Sequence, residues 1–243
     1  MYDVLLLIFV FTGFAGAVLA QDEFDSDVLP TSTGDLTMTF IGHGTLMFRF
    51  DGKVIHVDPW AKLADYTELP KADLILITHE HRDHLDPAAI RTLGTPNTVI
   101  LHSASCAEKV QDGTILTNGQ STTALGIDVK AVPAYNIRHK RDTGKPFHPP
   151  RVGNGYILTF GDKRVYVAGD TENTPEMKGL EHIDVAFLPL NLPYTMTPEM
   201  VADAARAFKP RILYPYHYGD TDPGRLVELL KDTAIDVRVR RLR

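Results

Sequence analysis

Four consecutive aliphatic residues, Leu74-Ile75-Leu76-Ile77, stop abruptly at a run of ligand-type side chains, Thr78-His79-Glu80-His81-Arg82-Asp83-His84. A short run that is apolar on both faces fits a central strand covered on both sides. The polar run must therefore sit at the carboxyl end of a buried strand. In extended backbone, side chains two residues apart point the same way, so His79 and His81 converge on one point. Asp83 and His84 are adjacent, and a turn is needed to aim both at a second point nearby. Three imidazoles with a carboxylate suit zinc, and manganese or iron would accept the same donors. A solvated His-rich loop is the bland alternative, but it explains poorly why so many ligand-type residues crowd the end of one strand.

The surrounding pattern supplies the rest of a sheet protein. Strands are expected at Leu36 to Ile41, Leu46 to Phe50 and Lys53 to Val57, with Asp51-Gly52 as a hairpin turn. Asp86 caps an expected helix over Pro87 to Leu93, with Pro87 at its first position. Further strands are expected at Thr98 to Leu101, Gly126 to Val132, Gly155 to Phe160 and Arg164 to Ala168. Strands and helices then alternate: Val185 to Leu188, helix Pro198 to Phe208, Arg211 to Tyr214, helix Pro223 to Leu230, and Ile235 to Val239. Cys106, in Ser103-Ala104-Ser105-Cys106-Ala107, reads as a buried small hydrophobe at the start of a helix.

With 243 residues and 44% hydrophobic content the chain can bury one substantial core, and one catalytic domain over residues 36–243 is expected. The formal net charge is -6. The basic residues are scattered, apart from Arg238, Arg240, Arg241 and Arg243 at the end, so nucleic acid is not an expected partner. The single Cys106 excludes an internal disulfide and a thiolate-rich zinc site.

The amino-terminal segment differs in kind. Val4 to Ala20 is apolar or small and flips into Gln21-Asp22-Glu23, which reads as a signal peptide over residues 1–20 with cleavage before Gln21. An exported protein, periplasmic or secreted and with no membrane span after cleavage, is the expectation. The alternative is an uncleaved anchor, although the segment is short for a bilayer, which takes about 20 apolar residues. Residues 21–35, acidic and rich in Ser, Thr and Pro, read as a flexible leader.

The run His79-Glu80-His81-Arg82-Asp83-His84 resembles the His-x-His-x-Asp-His signature of the metallo-β-lactamase superfamily at every defined position. Val165 to Thr171 resembles that family's strand ending in Gly-Asp-Thr, and Leu213 to Gly219 its strand ending in a ligand histidine. Within the superfamily, Gly42-His43-Gly44, Val57-Asp58-Pro59 and Tyr194 to Glu199 are similar to the branch with ascorbate-phosphate lactonase and the phospholipase that releases N-acylethanolamines. The resemblance implies an α+β fold, a four-layer αββα sandwich of two mixed sheets with helices outside. It implies that His79 and His81 bind a first metal, that Asp83, His84 and His217 bind a second, and that Asp170 bridges them.

The third histidine of the first metal is where the chain departs, because the matching segment Val132 to Asn136 ends in asparagine. His148 and His139, both in the polar loop after Asn136, are the substitutes. His148 is preferred because Pro149 and Pro150 restrain its backbone. His139, between Arg138 and Lys140, suits a solvated face. Of the remaining residues, His43 and Asp58 are open between supporting a ligand and a local backbone role. His56 reads as structural, His182 as surface, and His102 as a candidate by proximity alone. Trp60, Tyr135, Tyr194 and Tyr218 shape a pocket or simply pack.

A site of this kind pulls the pKa of bound water down to about 7, which makes hydroxide available at neutral pH. The expected enzyme is a hydrolase of an ester, lactone or phosphodiester in a small molecule or lipid, with two zinc ions, or manganese or iron. Asp83 and Asp170 are its catalytic carboxylates, Asp83 also orienting the hydroxide. Two other readings stay open: a metal-binding or sensory protein without turnover, and a nuclease of the same fold. The export reading is checked by expressing the full chain in a bacterial host. A periplasmic product beginning at Gln21 is expected, and a cytoplasmic chain that keeps Met1 contradicts it.

Overall fold

The computed structural model describes residues 24–242. Among these, the chain forms β1 (Ser26–Thr31), β2 (Gly34–Gly42), β3 (Thr45–Phe50), β4 (Lys53–Val57), β5 (Leu74–Ile77), α1 (Pro87–Leu93), β6 (Val99–His102) and β7 (Thr114–Ile115). It continues with β8 (Ser121–Ala124), β9 (Ile127–Ala134), β10 (Gly153–Phe160), β11 (Lys163–Val167), α2 (Pro175–Lys178), β12 (Val185–Pro189), α3 (Pro198–Phe208), β13 (Ile212–Tyr216), α4 (Gly224–Leu230) and β14 (Asp236–Val237). Strands β1 to β7 make one sheet in sequence order, and β14 to β8 make the second. Each sheet is antiparallel through its hairpins and parallel beyond β4 or β11.

Side-chain alternation along the central strands explains the layers. Leu74 and Leu76 of β5 face the second sheet, as Val185 and Phe187 of β12 face the first, and together they build the core between the sheets. Ile75 and Ile77 point outward onto Ala89, Ile90 and Leu93 of α1. Ala186 and Leu188 point outward onto Val201, Ala204, Ala205 and Phe208 of α3. A strand apolar on both faces is thus buried on both, and the αββα sandwich follows. Among the described residues no helix is long and apolar enough to cross a membrane. The export segment lies outside the described residues.

Local chemistry sets the helix boundaries. The Asp86 carboxylate accepts from Ala88 N at 2.9 Å at the start of α1, and Pro87 follows at a position that needs no amide donor. Thr197 Oγ1 does the same for α3, accepting from Met200 N at 3.2 Å. Cys106 is buried, in a single 3-10 turn over Ala104–Cys106 rather than a longer helix. His56 is buried and structural: its Nε2 lies 3.2 Å from Pro70 O, and burial pushes its pKa down to about 4.

The segment expected as a flexible leader is a correction. Within residues 21–35, Ser26–Thr31 forms β1, paired antiparallel with β2 from Ser26↔Thr39 to Thr31↔Gly34. The cause is the basic chain end. Arg240 Nη2 donates to Asp27 Oδ2 at 2.8 Å and to Oδ1 at 3.0 Å. Arg241 Nη2 donates to Asp25 Oδ1 at 3.1 Å, and the Tyr214 hydroxyl donates to Asp27 Oδ2. Arg238 Nη1 reaches the same carboxylate at 3.4 Å. A composition that reads as disordered by itself is ordered by charges contributed from the far end of the chain.

Asp27→Ala leaves the Tyr214 hydroxyl and the Arg240 guanidinium without their shared acceptor. A loss of about 2 kcal/mol of unfolding free energy is expected, from the ordinary cost of stranding partly buried charged donors. Urea denaturation measures it, and a change below a few tenths of a kcal/mol contradicts the clasp.

Candidate metal centre

The centre forms where loops after β5, β9, β11 and β13 meet at one edge of the sandwich. His79, His81, Asp83 and His84 come from the loop after β5. Asp170 follows β11, His217 follows β13, and His148 lies in the loop between β9 and β10. All seven residues singled out in the sequence are brought together.

Six of them fall into two groups of donor atoms that share Asp170, and Asp83 joins His43 and His217 in a third. In the first, His81 Nδ1 lies 3.0 Å from His79 Nε2 and 3.2 Å from His148 Nε2. Asp170 Oδ2 closes this group at 3.2 Å from His148 Nε2 and 3.9 Å from His79 Nε2. In the second, His84 Nε2 lies 3.1 Å from His217 Nε2. Asp83 Oδ2 is 3.4 Å from His217 Nε2, and Asp170 Oδ1 is 3.4 Å from His84 Nε2 and 3.5 Å from His217 Nε2. Asp170 is shared, one oxygen to each group. Its Oδ1 is buried and has no hydrogen-bond partner, so the donor set fits a pair of cations bridged by this carboxylate.

The Nδ1 atoms of His84, His79 and His217 meet groups outside the cluster, and for His84 and His79 the partner requires the proton on Nδ1. His84 Nδ1 donates to Asp58 Oδ2 at 2.8 Å. Asp58 also accepts from Thr78 N at 2.8 Å and Thr78 Oγ1 at 2.6 Å. With its proton committed there, Thr78 Oγ1 accepts from His79 Nδ1 at 3.0 Å. The Asn191 amide lies 3.1 Å from His217 Nδ1. Such contacts aim the opposite nitrogen at a metal.

Asn136 explains the departure from the family pattern. Its Oδ1 accepts from His148 Nδ1 at 2.8 Å and from His148 N at 2.7 Å. The asparagine therefore holds the histidine that joins the cluster. Asn136 Nδ2 in turn donates to Glu172 Oε1 at 3.2 Å and Tyr194 O at 2.8 Å. The buried Glu172 carboxylate also accepts from Ile137 N, Arg138 N and His139 N at 3.0, 2.8 and 2.6 Å. His139 stays outside the cluster, its Nδ1 2.6 Å from Thr195 O.

Backbone geometry contributes too. His43, Asp58 and His217 each follow a strand and adopt left-handed φ angles of 51°, 47° and 48°. This conformation is uncommon away from glycine, and it breaks the strand alternation so that each side chain turns into the site. Gly44 permits the close approach, since a Cβ there would lie 2.8 Å from His84 Cε1. Gly169, at φ 65°, could carry no Cβ without meeting Asn154 O at 2.7 Å.

Electrostatics follows from the crowding. Burial opposes ionisation of Asp170, but His217, His84 and His148 outweigh it and hold the carboxyl well below the usual range. Burial likewise opposes a charged His84, yet Asp170 and Asp58 raise its pKa well above normal. For His79 burial dominates, aided by His84, and the imidazole is neutral. Asp83, despite burial, is kept ionised by hydrogen bonds from His217 and His43, the latter at 3.0 Å.

A cavity of ≈ 530 Å³ opens over the two groups, lined by Trp60, Arg82, Arg141, Phe147, Tyr194 and the site residues. Tyr135 lies elsewhere, its hydroxyl donating to Glu176 at 2.9 Å. Tyr218 packs against the core and donates to Arg240 O at 2.8 Å. His102 is structural, with Nδ1 2.8 Å from Ser103 O, and His182 is exposed. The sequence reading did not find Glu172, Asn191, Phe147 or Arg141. For Glu172 a signal existed, a carboxylate directly after the Gly169-Asp170-Thr171 turn.

Comparison with known proteins agrees with this geometry. The profile of the Beta-lactamase superfamily domain matches residues 37–217. A UPF0173 metal-dependent hydrolase of Thermococcus kodakarensis is 33% identical over 214 residues, covering 80% of this chain and 92% of the relative. A crystal structure from Parabacteroides distasonis ATCC 8503, assigned to the metal-dependent hydrolases, is 53% identical with a TM-score of 0.87, covering 90% of this chain and 100% of that one. The metallo hydrolase Igni18 of Ignicoccus hospitalis is 26% identical with a TM-score of 0.70, covering 85% of this chain and 95% of that one. The chain belongs to the metallo-β-lactamase superfamily and, within it, to the UPF0173 metal-dependent hydrolases. It is a metal-dependent hydrolase.

His148→Ala is expected to lower metal content toward one ion per chain. Asn136→Ala should weaken retention of that ion by about 10–100-fold, the usual cost of losing a group that orients a ligand. His139→Ala should change metal content little. Elemental analysis after graded chelation measures all three, with circular dichroism as a check on folding. Equal, mild losses in every variant contradict the assignment of His148.

Proposed function

We propose that this hydrolase works with two ions, zinc in the first instance, and cleaves an ester, lactone or phosphodiester in a small molecule or lipid. In this reading His79, His81 and His148 hold the first ion, Asp83, His84 and His217 hold the second, and Asp170 bridges. The observation that carries it is the Asp170 carboxylate, whose two oxygens face separate donor groups while the buried Oδ1 makes no hydrogen bond. Manganese or iron would suit the same donors. Two ions here would supply acidified water at neutral pH and positive charge for the oxygen of the attacked group.

The chain's own residues supply position and proton transfer. Asp83 is the carboxylate nearest the substrate side, with its side chain 32% exposed while that of Asp170 is 5% exposed. His43 donates to Asp83 Oδ2 and keeps it aimed into the cavity. Asp83 therefore orients the attacking water and receives its proton. Trp60, Phe147 and Tyr194 wall the cavity and exclude bulk water from the reacting atoms.

The likeness of Gly42-His43-Gly44 and Val57-Asp58-Pro59 to the lactonase and phospholipase branch supports lactones and phosphodiesters as the first bonds to try. Both segments are at the site: His43 bonds Asp83, and Asp58 bonds His84. A first donor group that includes His148 supports turnover over a metal-binding or sensory reading. The apolar segment before Gln21 supports action outside the cytoplasm, or at a membrane surface if it is not cleaved.

Purified protein grown in zinc-replete medium is expected to carry close to two ions per chain. Chelation should abolish hydrolysis of a panel of 4-nitrophenyl esters, lactones and bis(4-nitrophenyl) phosphate, and zinc or manganese should restore it. Asp83→Asn should lower kcat by at least about 100-fold, the lower end of what a positioned base contributes. A fully loaded protein that turns over no member of the panel contradicts the proposal.

A further inference from the structure

The cavity above the donor groups carries two cations that the hydrolytic chemistry does not use. Arg82 sits between His81 and Asp83 and lines the cavity from the loop after β5. Arg141 lines it from the loop between β9 and β10. There a small hairpin, with Arg141 N donating to Lys145 O at 2.8 Å and Gly144 N donating to Arg141 O at 2.8 Å, presents the side chain. The Arg141 guanidinium lies 5.1 Å from the centre of the Phe147 ring, and its Nη2 donates to Phe147 O at 3.4 Å. Phe147 is itself held edge-on against Tyr194, with ring centres 5.0 Å apart. The arginine is thus stacked on an aromatic wall that is fixed in turn.

Neither arginine has an acidic partner among the described residues. Other arginines of this chain do pair with carboxylates, as Arg225 does with Glu199 and Arg238 with Asp236. The carboxylates in the same cavity, Asp83 and Asp170, point into the donor groups. Two dications held there would outweigh these carboxylates and, with the two arginines, leave the cavity positive. A guanidinium offers a planar fork of donors that matches carboxylate and phosphate oxygens.

We propose that Arg82 and Arg141 bind an anionic group, carboxylate or phosphate, carried by the substrate at the end remote from the bond that is cut. The inference rests on the hydrolase reading and deepens it: the substrate is an anionic small molecule whose connecting segment lies on Trp60, Phe147 and Tyr194. The volume of ≈ 530 Å³ suits such a molecule better than a polymer.

The test uses zinc-loaded full-length protein and three probes that share one carboxylate for the metal end: pentanoate, glutarate and 4-phosphonobutyrate. Affinities are measured by isothermal titration calorimetry. Wild-type protein is expected to bind glutarate, phosphonobutyrate or both about tenfold more tightly than pentanoate, the scale of one charge-assisted hydrogen bond partly screened by water. Whichever dianion is favoured distinguishes a carboxylate from a phosphate tail. In the Arg82→Ala/Arg141→Ala double variant the ratio should fall to near one, with metal content measured alongside. Equal affinity for all three probes in the wild type, no binding of any, or a preference that survives in the double variant each overturns the proposal. The hydrolase reading fails separately, if the loaded protein hydrolyses neither 4-nitrophenyl pentanoate nor mono-4-nitrophenyl glutarate nor any other member of the ester, lactone and phosphodiester panel.

Discussion

A carboxylate buried among imidazoles is the constraint on which the rest depends. Asp170 is almost fully enclosed, close to His79, His84, His148 and His217, with one oxygen that makes no hydrogen bond. An ion buried in this way is costly unless charge of opposite sign meets it. The surrounding histidines provide part of that charge, and metal ions held by the same donors would provide the rest. The pair of donor groups is thus a consequence of where one carboxylate is held, just beyond β11 and directly after Gly169, whose left-handed backbone and close neighbours leave no room for a Cβ.

Holding it there takes both sheets. The first supplies His79, His81, Asp83 and His84 after β5, and the second supplies Asp170 and His217 after β11 and β13. Backbone bonds stitch the two edges, with His217 N donating to His43 O at 2.9 Å and Asn154 N donating to Thr78 O at 2.9 Å. Behind the ligands, Asp58 and Thr78 orient the first sheet's histidines, and the Glu172 and Asn136 pair orients His148. Loops carry the chemistry and the sandwich fixes their roots.

How much of this was legible in the sequence depended on distance along the chain. His79, His81, Asp83 and His84 were readable because one strand end collects all four, and strand alternation says where the first two point. Asp170 and His217 needed the resemblance, since a lone aspartate or histidine after a strand has no pattern of its own. Asn136 was seen only as a missing ligand. Its contact to His148 spans a loop whose course depends on the buried Glu172, and neither partner has a periodic signature. Ser26–Thr31 was misread for a related reason: its composition is that of a leader, and the arginines that order it lie at the opposite end of the chain. The strands with apolar runs were found to within a few residues, whereas the two-residue β7 and the polar β8 (Ser121–Ala124) carry no such run and were not expected.

The most direct test of the central claim is anomalous diffraction at the zinc edge from crystals of the zinc-loaded protein. The account predicts two peaks about 3.5–4 Å apart, the usual spacing of paired catalytic metals. One peak should lie among His79, His81 and His148, the other among Asp83, His84 and His217, with one oxygen of Asp170 turned to each. A single peak, or a peak held by His43, Asp83 and His217, which also form a group able to take a metal, would contradict it.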